Sequence, residues 1–465
     1  MRSAVTTTLR AASPAAPAAA GISPVDVSTP AVLLKFDPNV MHHGSLGAIR
    51  SLGRLGVPVY AVQEAAWAPA AHSRYLSGKV LWQPAALTPG QVQDGLAQLS
   101  DSIGRTAVLI PTDDAGAIFL AEYGKRLRGR FLFAQPPAAL PRLLAGKYSL
   151  HELCAEFGVP SPRSCVPSTH RQAAKFAAET GYPVIGKLTR PWQAGPGQRS
   201  TVIIADRAEL DCSWQASEAS QAGLMLQEFI PAGPDSDWFF HGYRGAGGCK
   251  LSCTGVKDRS YPAHAGLTSF GRSVPNAALR DDVTGLLDQL DYRGIADLDL
   301  RLDARDGRYK LLDFNPRLGA QFRLFTTADE LDVVRAAYLD LTGQEVVSAR
   351  PGGASPVSGR SFLVESYDPL SALAYWRSGE LGIRAWMASL RAADETAWFA
   401  RDDLRPFGLM CLRMGWRVAT RPLVRGRESP AAARPAVPRL RRGRAWTPTR
   451  SQQGQQTVPA EGGFT

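Results

Sequence analysis

Tyr309-Lys-Leu-Leu-Asp-Phe-Asn-Pro-Arg-Leu-Gly319 decides the reading of this chain. If the stretch is extended, Asp313, Asn315 and Arg317 fall at i, i+2 and i+4, and a strand turns such residues to one face. A carboxylate, an amide and a guanidinium on one face can hold a divalent cation and phosphate. Upstream, Ile295-Ala-Asp-Leu-Asp-Leu-Arg-Leu302 also reads as a strand and carries Asp299. Asp303, Asp306 and Gly307 supply turn chemistry between the two runs, which predicts a hairpin with Asp299 opposite Asp313. Oxygen ligands of this kind suit magnesium or manganese, which accept carboxylates and carbonyls and keep phosphate oxygens as further ligands.

Working outward, Lys147 opens a helical stretch that runs to Phe157 and stops at Gly158, ahead of Val-Pro-Ser-Pro162. Tyr182-Pro-Val-Ile-Gly-Lys-Leu188 reads as a strand carrying Lys187. The loop after it, Arg190-Pro-Trp-Gln-Ala-Gly-Pro-Gly-Gln-Arg-Ser200, has no Walker pattern, but Gly195 and Gly197 can let backbone N–H groups approach phosphate. Leu224-Met-Leu-Gln-Glu-Phe-Ile-Pro231 follows, and then Ala-Gly-Pro-Asp-Ser-Asp237.

Nearer the N-terminus, Ala31-Val-Leu-Leu-Lys-Phe36 and Val57-Pro-Val-Tyr-Ala-Val62 read as buried strands. They flank a helical pattern at Leu46, Ile49, Leu52 and Leu55 that ends at Gly56, giving a β-α-β unit. Its glycines do not form GxGxxG and no acid closes the second strand, so a dehydrogenase reading is disfavoured. A third strand, Ala107-Val-Leu-Ile-Pro111, leads into Thr112-Asp-Asp114, a loop placed to contribute to a cleft at the carboxyl end of a parallel sheet.

A lysine, a second lysine with a Gly-rich loop, a Gln-Glu-Phe-Ile segment and an acidic hairpin with Asn-Pro-Arg, in that order, resemble the ATP-grasp superfamily of the carboxylate-amine ligase type, over roughly residues 31 to 345. The resemblance implies an α/β and α+β architecture: a Rossmann-like pre-ATP-grasp domain, then a two-subdomain ATP-grasp fold, with a C-terminal accessory region. It also implies roles. Lys147 and Lys187 would face the ATP phosphates with Gly195 and Gly197. Glu228 would meet the adenine amino group and the Phe229 and Ile230 backbone its edge. Asp235 would hold the ribose, with Asp237 as competitor. Asp299, Asp313 and Asn315 would bind magnesium. This chain has Asp313 where the family usually has Glu, one methylene longer.

The implied reaction is ADP-forming ligation. A substrate carboxylate attacks the γ-phosphate, and an amine then displaces phosphate from the acyl phosphate, with Arg317 and Lys187 as catalytic cations. Amino acids or small peptides are the expected substrates. Lys257 and Arg259, in Gly255-Val-Lys-Asp-Arg-Ser-Tyr-Pro262, are the candidate substrate contacts, Arg259 as a bidentate partner for a carboxylate. The alternatives are other ATP-grasp chemistry, carboxylase-like or phosphotransfer, and a non-catalytic nucleotide-binding module.

Length and composition set loose bounds. A chain of 465 residues that is 45% hydrophobic can bury several cores, and no apolar run approaches the ~20 residues a membrane helix needs. The net charge of +11 is concentrated at one end: from Arg405 onward there are twelve arginines, no lysine and two acids (+10), leaving +1 for the rest. That distribution predicts a solvated basic tail, with no nucleic-acid or membrane partner. Six irregularly spaced cysteines without CxxC fit reduced thiols and a cytoplasmic setting. The expected layout is a disordered extension (1–30), a pre-ATP-grasp domain (31–135), an ATP-grasp domain (136–345), an accessory region (346–425) and a disordered basic tail (426–465). ATP and small carboxylate and amine substrates are the expected partners, with a homodimer left open.

Overall fold

The computed structural model describes residues 6–9, 25–189, 201–233, 235–264, 266–346 and 356–425. Gly195 and Gly197 lie outside these residues, as does the 426–465 tail. The chain divides into two compact units, Met1–Trp416 and Arg417–Thr465, and all three sheets belong to the first.

The first sheet contains β1 (Thr6–Leu9), β2 (Ala31–Leu34), β3 (Val59–Gln63), β4 (Leu76–Leu81), β5 (Ala107–Pro111) and β6 (Phe131–Leu132), in the order β1-β4-β3-β2-β5-β6. All neighbours are parallel except β1 with β4. The crossovers carry α1 (His43–Leu55), α2 (Pro89–Ile103) and α3 (Asp114–Tyr123). Period-2 alternation sorts β2 between two cores. Ala31 and Leu33 pack with Leu46, Ile49 and Leu52 of α1, while Val32 and Leu34 pack with Val92, Leu96 and Leu99 of α2. Helix ends follow local chemistry: Thr88 and Gln91 form a capping box on α2, Asp113 caps α3, and Gly56 closes α1 at φ 93°. Of the 1–30 segment, expected to lack order, residues 6–9 and 25–30 are described. Thr6–Leu9 forms an edge strand on β4, and Val25 and Val27 pack against the core.

The second sheet contains β7 (Ser164–Cys165), β8 (Val184–Leu188), β9 (Thr201–Ile204) and β10 (Leu224–Glu228), in the antiparallel order β7-β10-β8-β9. It is preceded by α4 (Leu140–Ala145) and α5 (Lys147–Glu156). Its apolar face is covered by α6 (His170–Thr180) and α7 (Arg207–Ser220), through Ala173, Phe176, Leu210 and Trp214.

The third sheet holds β11 (Asp237–Gly245), β12 (Gly248–Tyr261), β13 (Leu267–Ser273), β14 (Gly294–Asp303), β15 (Arg308–Asn315), β16 (Ser361–Leu363) and β17 (Glu395–Thr396). Their order is β15-β14-β11-β12-β13-β16-β17, antiparallel except for the last pair. Adjacent Phe239 and Phe240 show how its two faces are used. Phe240 packs with Leu279 and Leu286 of α8 (Ala277–Gln289) and with Leu150 and Leu153 of α5, whereas Phe239 joins Val333 and Tyr338 of α9 (Val333–Leu341).

The chain continues through α10 (Asp368–Arg377), α11 (Ile383–Arg391) and α12 (Leu404–Arg425). Buried polar contacts tie these late residues to earlier ones. Arg50 Nε lies 3.0 Å from Asp403, whose carboxylate also accepts from the Ser73 hydroxyl and the Arg74 N–H. Among the described residues, no helix is long and apolar enough to cross a membrane.

Candidate active site

The predicted hairpin forms, with Asp299 opposite Asp313 and Asp297 opposite Asn315. Its turn closes where the sequence places it: Gly307 N–H donates to the Asp303 carbonyl at 2.8 Å, and Gly307 adopts φ 69°, a conformation that favours glycine. The register slips between Asp299 and Leu300, because Leu311 rather than Leu312 faces Leu300. This bulge has a chemical result. In a regular strand, Leu311 and Asp313 would share a face. Here Leu311 joins the core with Leu298 and Phe314, while Leu312 and Asp313 line a cleft.

That cleft, of about 640 Å³, runs between the second and third sheets. On one side it is lined by Lys187 of β8 and by Glu228, Phe229 and Ile230 at the end of β10; on the other by Lys257, Asp299, Arg301 and Asp313. The two acids are each countered by a lysine from elsewhere. Lys147 Nζ, at the start of α5, lies 2.5 Å from Asp313, and Lys257 Nζ of β12 lies 3.2 Å from Asp299. Burial pushes the Asp299 carboxyl up; Lys257 opposes this, while the charges on Asp297 and Asp313 add to it. Burial works against the Lys257 ammonium, but Asp299 and Asp237 outweigh it and raise its pKa. Lys187 donates to Gln227 Oε1 at 2.8 Å, and burial lowers it to about 8, with Lys147 pushing in the same direction.

Two register-matched carboxylates, one of them raised by burial and by the charges of Asp297 and Asp313, fit a divalent cation, which would replace lysine countercharges by direct oxygen coordination. Asn315 is more constrained than its two acidic neighbours. Its Nδ2 lies 3.3 Å from Asp297 and its Oδ1 accepts from Arg317 Nη2 at 3.0 Å. Arg317 lies beyond the end of β15, and its Nη1 donates to Asp297 Oδ2 at 2.9 Å. Behind it, His241 Nε2 lies 3.0 Å from Asp297 Oδ1, in a wholly buried position. Burial opposes the charge on Asp297, yet His241 and Arg317 hold its pKa low. Gly319 completes this support, since a Cβ there would stand 2.1 Å from His241 Cε1 and 2.7 Å from the Asp297 carboxylate. The sequence reading did not select Asp297 or His241. The usable signal was strand parity, because Asp297, Asp299 and Arg301 alternate along β14.

Other assignments move. Arg259 is not a loop residue open to substrate. It lies inside β12, buried, with Nε 2.8 Å from Asp368 and its guanidinium stacked 4.3 Å from the Phe270 ring centroid. Asp235 does not line the cleft; it is exposed, at φ 51°, and paired with Arg272. Its competitor Asp237 does line the cleft, where Arg301 grips it from Nε and Nη2. Glu228 reaches the cleft with both oxygens engaged, one by Arg305 at 2.6 Å and one by the Arg163 N–H at 3.1 Å.

No family model matches the chain. Its fold is that of ATP-grasp proteins, as the solved structures show. It superposes on the L-amino acid ligase of Bacillus licheniformis with a TM-score of 0.53, at 15% identity, covering 72% of this chain and 79% of that one. For N5-carboxyaminoimidazole synthetase of Staphylococcus aureus the TM-score is 0.53, at 12% identity, covering 73% and 82%. For the biotin carboxylase domain of Hydrogenobacter thermophilus 2-oxoglutarate carboxylase, determined with MgADP, ADP and bicarbonate, it is 0.51, at 16% identity, covering 70% and 72%. Among curated proteins, the D-aspartate ligase of Enterococcus faecium is 22% identical over 242 residues, which are 49% of this chain and 57% of that protein. The chain thus spans little more than half the length of that relative.

Proposed function

We propose that the protein is an ATP-dependent ligase that joins a carboxylate to an amine through an acyl phosphate, releasing ADP and phosphate, with amino acids or small peptides as substrates. The observation that carries this reading is the Asp299–Asp313 pair, opposed in register in an open cleft and flanked by Lys187, Lys147 and Lys257. Similarity to a D-aspartate ligase and to an L-amino acid ligase supports the amino-acid substrate class.

Magnesium held by Asp299 and Asp313, with Asn315 beside them, would neutralise charge on the transferring phosphoryl group. The chain's own residues supply the rest. Lys147 and Lys187 pull the phosphate oxygens to one end of the cleft, and low polarity around Lys187 strengthens that attraction. Phe229 and Ile230 offer backbone and apolar surface to the base. Asp237, which lines the cleft, would serve as the ribose acceptor if Arg301 yields one of its two bonds. Arg317, aimed by Asp297 and Asn315, would offer its charge and the one Nη2 N–H they leave over to the γ-phosphoryl group and then to the acyl phosphate. Reaction proceeds by positioning and charge stabilisation, without a covalent enzyme intermediate.

The test is mass spectrometry of products after the protein is incubated with ATP, magnesium and the proteinogenic amino acids in both hands, singly and in pairs. Ligation requires a condensation product, ADP and phosphate only when both a carboxylate and an amine are present. Oxygen-18 placed in the substrate carboxylate must reach the released phosphate. Label in AMP, or ADP formation supported by bicarbonate alone, overturns the reading.

A further inference from the structure

We propose that Asp114 holds the ammonium group of the amine substrate and takes its proton as the nitrogen attacks the acyl phosphate. The inference rests on the ligase reading and assigns it a residue outside the nucleotide cleft.

The first sheet changes direction at β2, with β3 on one side and β5 on the other, so the crevice between the carboxyl ends of β2 and β5 is where an open parallel sheet receives a ligand. Asp113 and Asp114 follow β5 into that crevice, but they have different duties. Asp113 is consumed by the fold: one oxygen accepts from the Phe36 and Asp37 N–H groups and the other from the Gly116 N–H. Asp114 has no such duty. Its Oδ1 is buried without a hydrogen-bond partner, and Arg317 Nε approaches it at 3.4 Å. The side chain is 43% exposed, so Oδ2 is the oxygen open to a ligand.

The third sheet brings its chemistry to the same place. The loop after Arg317 packs on the start of α1, where a Cβ on Gly44 would lie 3.0 Å from the Ala320 Cα. Burial pushes the Asp114 carboxyl up, Arg317 and Lys147 pull it down, and the charges on Asp313 and Asp113 push it up again. A carboxylate beside the guanidinium that holds the acyl phosphate is placed to receive the second substrate. An amine reaches a neutral-pH active site mainly as ammonium and must lose a proton to become a nucleophile. Transfer of that proton to Asp114 leaves a neutral amine; the C–N bond then forms as the C–O bond to phosphate breaks, the electron pair leaves with phosphate, and the second proton of the attacking nitrogen passes to the departing phosphate, leaving amide and hydrogen phosphate.

Hydroxylamine separates the two half-reactions, because it is largely uncharged at neutral pH and intercepts an acyl phosphate without an ammonium to be held. Wild-type protein and Asp114→Asn would be assayed on the amino-acid pair that wild type joins fastest, with amide measured by mass spectrometry. They would also be assayed on the carboxylate of that pair with hydroxylamine, with hydroxamate measured. The expected result is loss of amide formation by at least ~100-fold while hydroxamate formation stays within about threefold, with partial recovery of amide in Asp114→Glu. Equal loss of both products would show that Asp114 only orients Arg317, and unchanged amide formation would remove it from the reaction; either result overturns the proposal. Wild-type protein forming neither product would instead overturn the ligase reading itself.

Discussion

Two groups of charges in this protein look alike in the sequence and differ in what surrounds them. Around the hairpin, Asp299, Asp313 and Lys257 line an open cleft, and Lys147, paired with Asp313, is itself exposed, so a ligand can exchange their partners. Around α1 and α9, Arg50, Ser73 and Arg74 converge on Asp403, and Arg323 on Asp332, with those carboxylates wholly enclosed. Asp332 also caps α9 through the Val334 and Arg335 N–H groups. Nothing can enter there. A charge that can change partners serves binding; one whose contacts are all internal holds the fold.

The largest expected effect tests the enclosed group. Asp403→Ala leaves the Arg50 guanidinium buried beside backbone carbonyls alone and should lower unfolding free energy by about 3–5 kcal/mol, measured by urea denaturation, with KM for ATP unchanged in the folded protein. A stable variant with impaired ATP binding would erase the distinction between the two groups.

The open group should respond in the opposite way. Asp313→Asn should cut turnover by at least ~100-fold while the thermal midpoint stays within a degree or two, because the loss falls on charge neutralisation at the γ-phosphate. Wild-type turnover in purified Asp313→Asn would remove this pair from the chemistry. Arg317→Lys should lower kcat roughly thirtyfold with little change in KM for ATP, since a point charge cannot reproduce the fork that engages Asp297 and Asn315 and would be left misaimed at the proposed acyl phosphate. An effect confined to KM would make Arg317 a ground-state contact.

The smallest effect concerns pH. Burial lowers Lys187 from 10.5 to about 8, so the free protein loses that charge as pH rises through 8, and kcat/KM for ATP should fall several-fold there. Stability moves the other way. Between about 8 and 10.5 the unfolded chain binds the proton that folded Lys187 has released, so this residue's contribution to stability rises with pH across the window. Lys187→Arg should abolish the fall in kcat/KM, and an unaltered profile would place the titration elsewhere.

How much of this was legible depended on range. The hairpin could be read because its alternation, its turn residues and its paired acids lie within about twenty-five residues of one another. The β-α-β unit was visible for the same reason, with Gly56 marking the helix end. The bulge at Leu312 could not be read, because it follows from packing Leu311 against Leu300 across the strand pair. Arg259 was misplaced because its partner Asp368 is 109 residues away, and no local pattern signals such a pair. Asp235 and Asp237 were both in view; which one faces the cleft depends on Arg272 and Arg301, each arriving from another strand.

The bond network at Asp403 also bears on how the chain assembles. Arg50 and Ser73 belong to the first sheet's surroundings but meet their carboxylate only after some 330 further residues have been made. During synthesis, the early domain must therefore carry an uncompensated guanidinium on a face destined to be closed. Such a surface would open readily and attract chaperones until the last helices dock. Ribosome-stalled chains ending before residue 403 should consequently be cut by protease at Arg50, a site that the finished protein buries.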